Sequence, residues 1–111
     1  MLGKYGRRFF IYFKKDNKSK VEKGFIKGSS VNVAVSRCIE RWEDKINEES
    51  VFVIRKTKFK QERGYSPGGV ILVKLGNDNW QKLTKDAMSQ DMDTSTERME
   101  MWNSVYKIQN Y

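Results

Sequence analysis

The residue types best suited to chemistry in this sequence are cations, and five of them fall within the stretch RKTKFKQERGYSPGG at positions 55–69. Lysine and arginine side chains at the end of an extended segment, and in the turn after it, can reach phosphate groups without being needed in the core. Such contacts hold a nucleic-acid backbone but carry no sequence information. The stretch therefore predicts salt-sensitive and weakly selective phosphate binding by Arg55, Lys56, Lys58, Lys60 and Arg63.

The positive charge is concentrated in parts of the chain. The formal net charge is +8; residues 1–30 hold nine Lys/Arg against two Asp/Glu and residues 51–75 hold six against one, whereas residues 76–111 hold four against six. Because neutralising phosphates releases condensed counterions, this distribution favours a polyanionic partner. Two alternatives stay open: the lysines keep the protein soluble, or they protect an exposed strand edge from aggregation.

Aromatic residues alternate with cations in the stretch RRFFIYFKK near the N-terminus. On an extended segment, Phe10 and Tyr12 share one face with Arg8 and Lys14. Rings that stack on unpaired bases beside backbone-holding cations are typical of proteins that bind single-stranded nucleic acid. We therefore predict stacking by these two rings and by Tyr65 in the later turn. The alternative is burial, with the strand covered on both faces beneath the C-terminal helices and Tyr65 closing its loop over the core.

The sequence lacks the groups that most enzymes and metal sites use. It contains no histidine, which is the commonest general base and metal ligand. Cys38, the only cysteine, falls on the apolar face of a predicted helix, and Asp86, Asp91 and Asp93 fall at polar positions that form no oxygen cage for a cation. We predict no catalysis, no cofactor and no metal site. One enzymatic alternative is a ribonuclease that works with Arg, Lys and Tyr alone, because the chain resembles small basic ribonuclease toxins in size and charge, although it lacks their helical start.

Two hairpins are predicted from alternating hydrophobicity and turn residues. RRFFIYFKK alternates as a strand, DNKSK supplies turn formers, and KVEKGFIKG returns as a second strand. VFVIRKTKFK and VILVKL have the composition of strands. The stretch GYSPGG between them predicts a turn at Pro67 and Gly68.

Helical spacing occurs in the middle of the chain and near its C-terminal end. Ser29 or Ser30 can cap a helix whose apolar residues recur every three or four positions from Val31 to Ile46. A second helix is predicted from Trp80, Leu83, Ala87, Met88 and Met92, and a third, capped within Thr94–Thr96, from Met99, Trp102, Val105 and Tyr106. Their methionines suit a core, or alternatively an adaptable surface for a protein partner.

These elements predict a single α+β domain spanning residues 1–111. It is expected to be a two-layer arrangement in the order β-β-α-β-β-α-α, with an antiparallel sheet of about four strands and helices packed on one face. The apolar runs are too short to cross a membrane, and the N-terminus lacks an apolar signal segment. Together with the single cysteine, these features predict a cytoplasmic protein.

The sequence as a whole predicts a small, non-catalytic protein that binds RNA or single-stranded DNA through one basic face. A regulatory role in a phage or mobile element is expected, because lysine outnumbers arginine by 15 to 7 and asparagine is frequent, as in proteins from AT-rich genomes. The first alternative is an inhibitor or adaptor whose basic face engages an acidic protein. The second is the histidine-free ribonuclease.

Overall fold

The computed structural model describes residues 7–28 and 30–111. Five antiparallel strands form one sheet in the order β2-β1-β3-β4-β5. The strands are β1 Arg7–Lys14, β2 Glu22–Gly28, β3 Val51–Lys60, β4 Gly64–Leu75 and β5 Gln81–Lys82. The helices are α1 Val31–Trp42, α2 Ala87–Gln90 and α3 Thr96–Gln109, with a 3-10 turn at Glu43–Lys45. The predicted α+β class and antiparallel sheet are confirmed, and the element order agrees apart from the additional short strand β5.

The long helices α1 and α3 lie on opposite faces of the sheet, whereas the prediction placed the helices on one face. The face covered by α3, here the α3 face, buries Phe10, Tyr12, Val51, Val53, Trp102 and Val105. The face covered by α1, here the α1 face, buries Phe9, Ile11, Phe13, Phe52, Cys38 and Trp42. Both faces are covered because β1 and the first half of β3 are apolar at consecutive positions, so each side of these strands needs an apolar neighbour.

The first hairpin turns where the sequence predicts it. The Asp16 carboxylate accepts hydrogen bonds from the backbone N–H of Lys18 at 2.9 Å and of Ser19 at 2.8 Å. Aspartate favours turns because its side chain can bond the backbone a few residues further on. This local contact brings β2 back along β1, with Phe10 directly opposite Phe25.

The predicted cap of α1 is confirmed at one of its two candidate residues. The Ser30 hydroxyl accepts a hydrogen bond from the backbone N–H of Val33 at 3.4 Å, and Ser29 lies outside the described residues. The buried residues Ala34, Cys38 and Trp42 follow at helical spacing. The sequence pattern thus predicts the start and the buried face of this helix, which ends at Trp42 and is followed by the 3-10 turn, whereas the pattern continues to Ile46.

The turn between β3 and β4 lies earlier than predicted. The chain reverses at residues 61–63, and Gly64 adopts a positive φ of 70°, while Pro67 lies inside β4, opposite Thr57. Because β5 pairs only with Leu72 and Val73 of β4, the edge of β4 that faces away from β3 has no partner strand at Pro67 within the described residues, and proline is tolerated at such an edge. The basic alternation after residue 55 is therefore strand, and the GYSPGG turn prediction is wrong.

The predicted helix from Trp80 to Met92 is also wrong over most of its length. Only Ala87–Gln90 is helical, and Gln81–Lys82 forms β5. Trp80 packs on the α1 face, whereas Leu83 packs on the α3 face. These two residues flank the edge strand β5 and are three positions apart, so the alternation of side chains along an extended segment places them on opposite faces of the sheet.

The last helix agrees with the prediction. The Ser95 hydroxyl accepts from the backbone N–H of Arg98 at 3.2 Å and caps α3. Met101 and Trp102 are buried against the sheet, but Met99 is partly exposed and Met92, in the preceding loop, is 94% exposed. The predicted methionine stripe therefore divides into core and surface residues.

Candidate nucleic-acid interface

Three exposed aromatic side chains form a continuous row at one end of the sheet. They come from three strands: Phe25 on β2, Phe59 on β3 and Tyr65 on β4, which are 40%, 61% and 38% exposed. The ring centroids lie 5.5 Å apart for Phe25 and Tyr65, and 4.9 Å apart for Phe59 and Tyr65. We call these three residues the aromatic strip.

The strip is assembled by the register of the strands and by a bend in the second hairpin. Phe59 lies directly opposite Tyr65, so both side chains project from the same face. The pairing of β3 with β4 shifts register on either side of Arg55, and extra residues of this kind bend a strand. The contact of Tyr65 with Phe25 shows that the end of this hairpin reaches over β1 toward β2.

Cations border the aromatic strip on the same face of the sheet. The Arg8 guanidinium lies 4.8 Å from the centroid of the Tyr65 ring, and the Lys23 ammonium lies 4.6 Å from that of Phe10. Lys27 is exposed and lies opposite Arg8 on β2. Arg8 Nε is buried and has no hydrogen-bond partner among the described residues. Positive charge and rings are thus interleaved at this end of the sheet, although the predicted neighbours of Arg8 were Phe10 and Tyr12 and not Tyr65.

Arg55 does not belong to this surface. Its side chain is buried, and its Nε donates to the carbonyl of Gly68 at 2.7 Å. Its Nη1 donates to the carbonyl of Ile108 at 2.8 Å and to that of Tyr111 at 3.4 Å. Gly68 lies in β4, Ile108 in the last turn of α3 and Tyr111 just after that helix, and the negative end of a helix dipole attracts a cation. Arg55 is therefore a structural residue, and the prediction that it reaches phosphate is wrong.

Phe10 and Tyr12 are also placed in the core. Phe10 is 8% exposed and Tyr12 is fully buried, so neither ring can receive a base in this structure. Burial raises the pKa of the Tyr12 phenol, and the neighbouring Arg55 guanidinium opposes part of that rise. The burial alternative predicted for this strand is confirmed. Phe10 still supports the site, because its ring lies 5.0 Å from that of Phe25.

The remaining predicted cations lie in two separate parts of the structure, one beside α3 and the other in the second hairpin. Lys14 lies at the opposite end of β1 from Arg8, and its ammonium donates to the Ser104 hydroxyl on α3 at 3.2 Å. Three exposed lysines at alternate positions of β3, here the lysine row, are Lys56, Lys58 and Lys60. Arg63 is exposed in the turn that follows. The structure thus brings the lysine row and Arg63 together in the second hairpin and excludes Lys14 from it.

Sequence reasoning missed Phe25 and Phe59. Each stands between or beside lysines, in KGFIK and KFK, but a lone aromatic residue in a strand is usually part of the core. The predicted first hairpin was an indication for Phe25, because antiparallel pairing of its two strands sets Phe25 opposite Phe10. The contact of Phe25 with Tyr65 depends on the bend of the second hairpin, and no local sequence pattern predicts it.

A second concave surface lies between the β5 region and α3, with a volume of about 440 Å³. Its buried polar groups are already paired: Asp91 Oδ2 accepts from Arg98 Nε and from Trp102 Nε1, both at 2.6 Å. Burial acts to raise the pKa of Asp91, but the hydrogen bonds from Trp102, Asp93 and Arg98 hold it below its ordinary value. The two part-buried charges of this surface, Asp91 and Arg98, are therefore already paired with each other.

The described residues include no group of three or more cysteine or acidic side chains placed to hold a metal ion. Across residues 7–28 and 30–111, no helix is long and apolar enough to cross a membrane. No protein-family model, no curated protein and no solved structure matches the chain. The site is therefore interpreted from its own geometry.

Proposed function

We propose that the protein binds single-stranded nucleic acid on the aromatic strip, without catalysis. The observation that carries this proposal is the meeting of three exposed rings, Phe25, Phe59 and Tyr65, at one end of the sheet. Contiguous exposed apolar surface of this kind marks an interaction site, whereas single exposed apolar residues need no explanation. Because every base has a π face, aromatic rings bind unpaired bases with little dependence on sequence.

The surrounding charge supports the same proposal. Arg8, Lys23 and Lys27 lie on the face that carries the strip and can hold the phosphates of a strand whose bases stack there. Release of counterions from those phosphates makes the affinity fall as salt increases. A protein with these properties, present at sufficient concentration, would cover or sequester single strands, which is consistent with a regulatory role.

A purely structural role for the strip accounts for only part of the geometry. Each aromatic pair stabilises the fold by about 0.5–1.5 kcal/mol beyond area burial, so the contacts of Tyr65 help to hold the hairpin in place. Phe59, however, stays 61% exposed at the far end of the row. A ring that serves only the core would be covered more completely.

The test is a fluorescence-anisotropy titration of labelled single-stranded RNA, single-stranded DNA and duplex DNA, each at low and near-physiological salt. We expect tight, salt-sensitive binding of the single strands. Phe59→Ser should weaken it about tenfold or more, because stacking is worth about 1–3 kcal/mol per base. The matched control is Met92→Ser, which removes another exposed apolar side chain and should leave the affinity unchanged.

The contrary outcomes are distinct. If no oligonucleotide binds even at low salt, the proposal is rejected, and the basic surface is next tested for an acidic protein that copurifies with it. Equal losses of affinity in Phe59→Ser and Met92→Ser would show that the aromatic strip is not part of the binding site. Cleavage of the RNA in the absence of added metal would contradict the non-catalytic role and favour the ribonuclease alternative.

A further inference from the structure

The second hairpin presents two different surfaces on its two faces. Lys56 lies opposite Phe9, whose side chain packs on the α1 face. Successive side chains of a strand alternate between faces, so the whole lysine row projects from the α1 side and Phe59 from the other. A methyl group added to Gly68 would lie 3.4 Å from Lys56 Cβ and 3.4 Å from Lys58 Cγ. Both lysine side chains therefore pass over the same residue of β4.

The lysine row is unpaired and regularly spaced. No ion pair involves these lysines within the described part of the chain. Alternate residues of a strand are about 6.6 Å apart, so the row extends over about 13 Å. One strand of a duplex carries a phosphate about every 3.4 Å along the helix axis. The row is thus long enough to face several successive phosphates.

The surface around the lysine row suits phosphates and not bases. Ser66 lies opposite Lys58, and Gly64 lies opposite Lys60. These two small residues leave room for a backbone to approach closely, and the Ser66 hydroxyl can donate to a phosphate oxygen. Within β3 and β4 from residue 56 to residue 68, both aromatic side chains belong to the strip on the other face.

A single strand lying along the aromatic strip cannot also lie along the lysine row, since the sheet separates them. We infer that the lysine row binds the phosphates of a duplex that adjoins the strand stacked on the aromatic strip. The preferred ligand is then a junction between double-stranded and single-stranded nucleic acid. Arg63 is exposed in the turn at the tip, where the strand that leaves the duplex would pass from one face to the other. This inference rests on the proposed function and specifies its ligand.

The experiment compares three labelled probes, prepared as DNA and as RNA. They are a blunt duplex of about one helical turn, a single strand of about six nucleotides, and the same duplex carrying that strand as an overhang. Binding is measured over a range of salt concentrations for the parent protein and for Lys56→Gln/Lys58→Gln/Lys60→Gln. The matched control is Lys82→Gln/Lys85→Gln/Lys107→Gln, which removes the same charge from exposed lysines outside the hairpin.

We expect the parent to bind the overhang probe at least about tenfold more tightly than either the strand or the duplex alone. On the overhang probe, the variant of the lysine row should lose about two to three units of salt slope, since each lost phosphate contact removes about one. On the strand alone it should lose less than one unit. The control variant should behave like the parent on every probe.

Equal losses of the lysine-row variant on the strand and on the overhang probe would overturn the inference, because they would mean that one strand contacts both faces. Binding of the strand with no gain from the adjoining duplex would also overturn it while leaving the proposed function intact. Failure of the parent to bind any probe would reject the proposed function itself. Circular dichroism of both triple variants establishes that each remains folded.

Discussion

The two halves of β3 have opposite environments within one uninterrupted strand. Val51–Arg55 is buried at every position, whereas four of the five residues from Lys56 to Lys60 are exposed. The first half lies between β1 and β4 beneath helices on both faces. The second half lies beyond that cover and pairs with the start of β4. The difference shows that strand formation and burial are separate outcomes, since the same backbone pairing supports a core at one end and a ligand surface at the other.

The boundary between the halves separates two adjacent cations. Arg55 is held by carbonyls of β4 and α3, but Lys56 is exposed on the opposite face. The planar guanidinium has several donors in fixed directions and can satisfy carbonyls from two elements at once, which an ammonium on a flexible chain does less well. Positive charge in this segment therefore serves the fold at one position and is available to a ligand at the next.

The largest effect is expected at the buried end of the β3–β4 hairpin, from Gly76→Ala. Gly76 has a φ of 57°, and an added Cβ would lie 2.5 Å from the carbonyl oxygen of Glu48. Left-handed strain costs about 1–2 kcal/mol and overpacking about 1–3 kcal/mol, so we expect a loss of about 3 kcal/mol in the free energy of unfolding, measured in urea. A loss below about 1 kcal/mol in the free energy of unfolding would show that the backbone at Gly76 adapts to a side chain as readily as the exposed end of the hairpin.

Arg55→Met should cost about 2 kcal/mol of unfolding free energy. The substitution removes the Arg55 donor from the carbonyl of Gly68 and one of the donors from the carbonyl of Ile108, which still accepts from the backbone N–H of Tyr111 at 3.1 Å. An unsatisfied buried group costs about 1–3 kcal/mol, offset in part by the charge that no longer needs burial. The control is Lys56→Met at the exposed neighbour, which should change stability by less than about 0.5 kcal/mol. Equal stability of the two variants would show that Arg55 does not belong to the buried half of β3.

At the exposed end, Gly64→Ala should cost about 1 kcal/mol. Its φ of 70° disfavours a side chain, although an added Cβ would meet no atom within 4 Å, so strain alone acts. Gly69→Ala is the matched control, since a Cβ there also meets nothing within 4 Å and the φ of Gly69 is not positive. Thermal unfolding followed by circular dichroism measures both. Equal stability of the two variants would contradict the observed turn conformation.

The smallest effect concerns Cys38, beneath the buried half of the sheet. Burial raises the pKa of its thiol to about 12, and Arg41 opposes part of the rise. The neutral thiol should therefore resist alkylation at pH 8 in the folded protein and react readily in concentrated urea. Because the folded pKa is raised, its contribution to stability is complete below the ordinary thiol pKa and is lost as the pH rises toward 12. Rapid alkylation of the native protein would show that α1 does not seal this face.

Local patterns predicted a large part of the fold. The turn at Asp16, the cap at Ser30 and the cap at Ser95 each depend on contacts between residues close in sequence, and all are observed. The errors occurred where long-range packing decides. GYSPGG has turn chemistry, but pairing with β3 extends it. The apolar spacing after Trp80 suits a helix, but pairing with β4 makes Gln81–Lys82 a strand.

The candidate site was predicted less completely than the fold. The sequence pointed to Tyr65, Arg8, the lysine row and Arg63, which remain proposed contacts. It also pointed to Phe10, Tyr12 and Arg55, which are buried. Alternation indicates which side chains share a face, but it does not indicate whether a helix from elsewhere in the chain covers that face.

The amino-acid sequence by itself determined the strand and helix periodicities, the local caps and the concentration of positive charge in two segments, because these depend on residue type and short-range spacing. Only the tertiary structure decided which of those residues reach solvent. The pairing of β2 with β1, the bend of the β3–β4 hairpin and the placement of α3 over Tyr12 and Arg55 bring Phe25, Phe59 and Tyr65 together in the open. These contacts join residues distant in sequence, and their energies depend on the packing of the whole domain.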